Sequence, residues 1–117
     1  MRTASTWFVV FWMSVCSAWG QEHNTADDVR QGHQVAVTVC AICHVAAADQ
    51  PPNMPIRHPP GPSFVSIAQR DDISADSLRH FLTTTHAGID NPYGMPKPEL
   101  TDFQVKQVVA YLLSLRK

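Results

Sequence analysis

The chain has 117 residues, of which 16% are charged, and a formal net charge of −1. That length holds one small domain, and no basic patch of the kind nucleic acid requires is present. A core of this size is marginal by itself, so a large apolar cofactor would help the chain to fold.

The first twenty residues read as an address. Arg2 supplies a positive start, "WFVVFWMSVC" is an apolar run of ten, and Ala18 and Gly20 offer the small residues of a signal-peptidase site. Cleavage after Gly20 is the expectation, with residues 1–20 a signal peptide and 21–117 a single domain. An uncleaved membrane anchor is the alternative, but the run is short for a span, which needs about 20 apolar residues. Cleavage removes Cys16 and all three tryptophans, Trp7, Trp12 and Trp19. With Arg2 gone, eight basic residues face ten acidic ones.

A helix is expected from Thr25 to Val39. Thr25 can cap it, and Asp27 and Asp28 suit the positive end of its dipole. Val29, Gly32, Ala36, Val39 and Cys40 fall near one face. A glycine inside a helix costs about 1 kcal/mol relative to alanine, which makes sense if another helix crosses closely at Gly32.

"CAICH", Cys40 to His44, follows at once. Four readings compete for it. One disulfide between near neighbours closes a tiny loop and stabilises little. A thioredoxin-like pair wants a βαβ setting, and no strand pattern surrounds the motif. Zinc needs a second half of similar ligand density, and only His58, His80 and His86 follow. The fourth reading is covalent haem: each thiol adds to one vinyl group, and the next residue can ligate the iron through its imidazole.

From Val45 to Ile67 six prolines forbid regular helix or sheet, so a stiff loop is expected there. A further helix is expected over about Ser74 to Thr85, capped by Ser74, with Leu78, Phe81 and Leu82 as its apolar face and Gly88 able to end it. The last helix carries the clearest signals. Thr101 and Gln104 form a capping box, and Leu100 can staple onto Val105. Val105, Val108, Val109, Leu112 and Leu115 keep a helical stripe, and Arg116 and Lys117 complement the C-terminal dipole.

With these motifs in place, the chain resembles a class I cytochrome c over about Val29 to Leu115. The resemblance implies an all-α cytochrome c fold. The N- and C-terminal helices cross, and a third helix and the proline-rich loop wrap one covalent haem c. Gly32 matches the family's glycine eight residues before the first motif cysteine. Ala36 stands where an aromatic commonly follows, so that contact is smaller here. Gly61-Pro62 matches the family's Gly-Pro pair, which implies that the Pro62 carbonyl accepts a hydrogen bond from the far nitrogen of His44. Arg70 stands at the offset of an arginine that binds a haem propionate in mitochondrial-type members. Met95-Pro96 stands where the family places its methionine ligand, and the aromatic of the last helix is matched around Tyr111. Tyr93 could bond a propionate or pack on the haem edge. Arg57 and His58 could face the propionates or stand exposed in the loop, whereas His23 and His33 need no function.

The expected site is therefore Cys40 and Cys43 on the haem, His44 and Met95 on the iron, and Pro62, Arg70 and Tyr93 around them. Met54 is the competing sulfur ligand. Ten residues past His44 can extend about 33 Å, so reach does not exclude it, but its proline-rich loop must also bring Gly61-Pro62 back to the His44 side. Met95 lies between Gly94, which permits close backbone approach, and Pro96, which stiffens the loop. His80 or His86 could instead make a bis-histidine haem. The expected function is an exported, periplasmic electron carrier, not an enzyme. Its partners are transient redox proteins, donor and acceptor, with no small-molecule substrate and no nucleic acid, and the protein is expected to be a monomer. An open-site haem enzyme or gas or peroxide sensor, or a redox module fixed in a larger complex, are the alternatives.

Overall fold

The computed structural model describes residues 25–88 and 91–117. The expected signal peptide, its cleavage point and His23 lie outside them. Among the described residues there is helix and no strand, and no helix is long and apolar enough to cross a membrane.

Helix α1 spans Thr25–Val35 and continues as one π-helical stretch, Ala36–Cys40. Thr25 is itself a helical residue rather than the expected cap. At the π stretch the Ala41 N–H reaches back five residues to the Ala36 carbonyl, at 3.0 Å. Helix α2 is a short piece, Phe64–Ala68, with the Ser63 side chain accepting from the Ser66 N–H. Helix α3 is Ala75–Thr83, and Ser74 and Ser77 form a reciprocal capping box at its start. It ends at Thr84 in extended backbone, ahead of Gly88. Helix α4 is Asp102–Ser114, with the expected box between Thr101 and Gln104.

The main packing is α1 on α4, and it is built on the absence of a side chain. A Cβ at Gly32 would fall on the Gln107 carbonyl and 2.9 Å from the Tyr111 Cβ. The two backbones therefore touch, as the interior glycine implies. Ala36 and Val108, both fully buried, continue the contact. The Lys106 ammonium meets the buried Asp28 carboxylate at 2.8 Å and ties the start of α1 to α4. Val105, Val109, Tyr111 and Leu112 complete the inner face of α4, with Leu78, Leu82 and Phe64 against it.

Two expected core positions lie further out. Val39 is 39% exposed, because the π stretch re-aims the end of α1 and keeps only Ala36 and Cys40 inward. Phe81 is 42% exposed and stacks on His86 instead of entering the core. Arg116 does not serve its own helix. Its guanidinium crosses to the carbonyls of Ala68, Arg70 and Ile73, at 3.1, 3.4 and 2.7 Å. Gln69 in turn donates to the Leu115 carbonyl at 3.0 Å, so the C-terminal ends of α2 and α4 are clamped together.

Candidate functional site

Cys40 closes the π stretch, and the chain turns there once more. The N–H groups of Cys43 and His44 both bond the Cys40 carbonyl, at 3.1 and 3.0 Å. This single turn gathers two thiols and an imidazole at the end of one helix. The cysteines are not disulfide-bonded. Burial first, and then the neighbouring Cys43, push the Cys40 thiol up to about 11. A redox-active thiol needs the opposite shift. Among the described residues no group of three or more His, Cys, Asp or Glu side chains is placed to hold a metal ion.

The proline-rich loop returns along the motif and is bonded to it. The N–H groups of Arg57, Gly61 and Phe64 meet the carbonyls of Ile42, Cys43 and Val45, at 2.7, 2.7 and 3.0 Å. This brings Gly61 and Pro62 under His44. The buried His44 ring lies so close that a Cβ at Gly61 would stand 2.6 Å from Nδ1 and 2.9 Å from Nε2. Nδ1 is 2.7 Å from the Pro62 carbonyl. A carbonyl can only accept, so Nδ1 carries the proton and Nε2 keeps its lone pair. Phe64 tilts against the same ring, at 5.6 Å between centroids. Behind Phe64 the Tyr111 hydroxyl donates to the Ala46 carbonyl at 3.0 Å, which holds the chain just past the motif onto α4.

The other expected residues are placed differently. Met95 is partly buried and packs against the core, and so is Met54. The Met95 loop is bonded to the segment after α3, since its carbonyl accepts the His86 N–H at 3.0 Å and the Lys97 N–H meets Thr85 Oγ1 at 3.3 Å. Tyr93 is 79% exposed. Arg70 donates its Nε–H and one Nη2–H to the two carboxylate oxygens of Asp72, at 3.0 and 2.7 Å, on the surface. That partner raises the Arg70 pKa and lowers the Asp72 carboxyl. Arg57, His58 and His80 are exposed.

His33 has a structural place that its sequence position does not suggest. Its ring sits edge-on to Tyr111, at 5.3 Å and 80°, and Nε2 is 2.8 Å from Asp49. The hydrogen bond from His33 holds the Asp49 carboxyl below its usual range. An imidazole three positions beyond Ala36 on the N-terminal side thus supplies ring contact with α4 where the expected aromatic is missing.

A profile of the cytochrome c family matches residues 29–116. Cytochrome c-552 of Bradyrhizobium diazoefficiens is 34% identical over 91 residues, 78% of this chain and 78% of that protein. No solved structure matches. The chain belongs to the cytochrome c family: it is a small c-type cytochrome, a haem electron carrier whose haem c is bound covalently.

The residues present fit that group. Two unbonded thiols share a turn with an imidazole whose outer nitrogen is fixed by a carbonyl. Val39 and Val45 on either side of the motif and Ile42 within it expose apolar side chains, the surface that an apolar macrocycle would cover.

Proposed function

We propose that Cys40 and Cys43 hold the haem through thioether bonds, that His44 Nε2 is one axial ligand and the Met95 sulfur the other, and that the protein passes single electrons between transient redox partners. The observation that carries this reading is the His44 ring, seated on Gly61 with Nδ1–H on the Pro62 carbonyl. That bond sets the tautomer, aims Nε2 outward and makes it more basic, as an outer hydrogen bond does for a ligating histidine. When bound, the haem supplies a one-electron couple between ferrous and ferric iron. The chain's part would be to ligate the iron through His44 and Met95, exclude water and keep the site rigid.

Met95 is favoured over Met54 by the backbone. Arg57, three residues past Met54, is bonded to Ile42 inside the motif, which ties the Met54 loop to the His44 side. Met95 follows α3, which gives the chain a whole helix in which to change sides. His86 is less favoured because its ring is stacked on Phe81, with centroids 3.8 Å apart, and Nε2 is on the Phe81 carbonyl, at 3.2 Å, which leaves only Nδ1 as a metal donor. A closed Met95 position leaves no open iron site, which is why we read a carrier and not an enzyme. Arg70 and Tyr93 remain propionate candidates in this reading only through movement of exposed side chains. Residues 21–117 form the single mature domain, released by cleavage after Gly20 into the periplasm. The apolar run at the start of the chain supports this, as does a haem attachment that takes place outside the cytoplasm.

Intact mass under denaturing conditions tests attachment and processing together. The purified holoprotein should weigh residues 21–117 plus one haem, and the double variant Cys40→Ser, Cys43→Ser should lose the haem and be largely unfolded. Haem that extracts from the unaltered chain disproves the thioethers. A mass that includes Met1 to Gly20 disproves the cleavage.

A further inference from the structure

We propose that His86 is the positioning residue for the Met95 loop. The inference rests on the reading of Met95 as an iron ligand and names what holds it in place. Three features of the loop converge on residue 86. The His86 N–H donates to the Met95 carbonyl at 3.0 Å. The His86 carbonyl accepts the Asn91 side-chain amide at 3.1 Å. Gly94 crosses that carbonyl so closely that a Cβ on it would overlap the oxygen. Both backbone groups of one residue thus set the path of the chain from Asn91 up to Met95.

The His86 side chain explains why that residue stays still. Its ring lies flat on Phe81, with centroids 3.8 Å apart and an interplanar angle of 12°. Its Nε2–H donates to the Phe81 carbonyl at 3.2 Å. Phe81 lies in α3 between Leu78 and Leu82, which are buried in the core. The chain of restraint runs from the core through α3, the Phe81 ring and His86 to the Met95 carbonyl. Thr85 adds a neighbouring bond, its hydroxyl oxygen accepting the Lys97 N–H, so the loop is held on both sides of Met95-Pro96. Outer hydrogen bonds of this kind orient metal ligands and are felt at the metal when removed.

The test uses the holoprotein and three variants. His86→Ala removes the stack and the ring bond. His86→Phe keeps the stack alone. Gly94→Ala drives a Cβ into the His86 carbonyl without touching the ring. With Met95 held, the ferric protein shows the weak far-red sulfur-to-iron band, and the ferrous protein does not bind carbon monoxide. His86→Ala and Gly94→Ala should weaken the band and raise carbon monoxide affinity by roughly 10–100-fold, the scale of an outer-partner loss. His86→Phe should stay nearer the unaltered protein, and the residue-86 backbone N–H should exchange fastest in His86→Ala. A band and carbon monoxide response unchanged in His86→Ala overturn the inference. So does a loss that appears only where circular dichroism shows the whole chain unfolding. If the unaltered protein lacks the band, the Met95 reading falls and this inference with it. If the band is lost in Met95→Ala but intact in both His86→Ala and Gly94→Ala, this inference alone falls.

Discussion

At the scale of single residues, function here depends on places where a side chain is missing. Gly32 lets α1 and α4 touch, and Gly61 lets the His44 ring lie on the backbone. Gly32→Ala is expected to destabilise the holoprotein by about 1–3 kcal/mol, the usual cost of overpacking. Urea denaturation measures it, and a change below about 0.5 kcal/mol would place Gly32 on a free surface. Gly32 was legible because a glycine inside a helix has a cost that something must offset. Pro62 was legible only through family likeness, since nothing in its neighbourhood announces an acceptor for an imidazole 18 positions away. Arg70 shows the converse. Its offset suggested a propionate, and in the structure its Nε and Nη2 groups pair with Asp72, two residues on. A local partner is closer in sequence and costs less chain entropy to reach.

At the scale of elements, helix starts were easier to read than helix ends or local irregularities. The Thr101–Gln104 box is in the sequence and in the structure, because a cap is a bond between near neighbours. Thr101→Ala should therefore cost about 1 kcal/mol through loss of the bond from the Gln104 N–H, measurable as a lowered thermal midpoint with an unaltered haem spectrum. A larger loss that also alters the spectrum would mean that the start of α4 supports the Met95 loop directly. The π stretch at Ala36–Cys40 had no such local signal, since it depends on how α1 must present Cys40 to the rest of the site. Helix α2 was hidden in the proline-rich segment. The last proline of that segment is Pro62, so Ser63 onward is free to turn helical, and Ser63 is the cap. The Arg116 clamp joins residues more than forty positions apart, and no short window of sequence can show it.

At the scale of the whole molecule, the described helices pack around α4, and one stiff loop returns to a turn that bears two thiols and a fixed imidazole. The loop does this by bonding back to the motif at three carbonyls, and α4 is tied in through Tyr111 and the Gly32 crossing. A small core is marginal, and the covalent cofactor of this family supplies the apolar mass such a core lacks. The helices were legible in their own signals, and the cytochrome c fold in the family resemblance that the motif and its surroundings carry. The second iron ligand was not legible in the same way, because two methionines, Met54 and Met95, lie among the described residues and both pack on the core. The central claim is that His44 and Met95 close both iron positions and make the protein a carrier. Optical spectra of the purified holoprotein and of Met95→Ala, oxidised and then reduced under carbon monoxide, test it most directly. The unaltered protein should show a far-red band and no carbon monoxide binding. Met95→Ala should lose the band, bind carbon monoxide readily and fall in potential, since a sulfur ligand favours the ferrous state. An unaltered protein that lacks the band and binds carbon monoxide readily, or a band that survives Met95→Ala and vanishes in Met54→Ala, would contradict it.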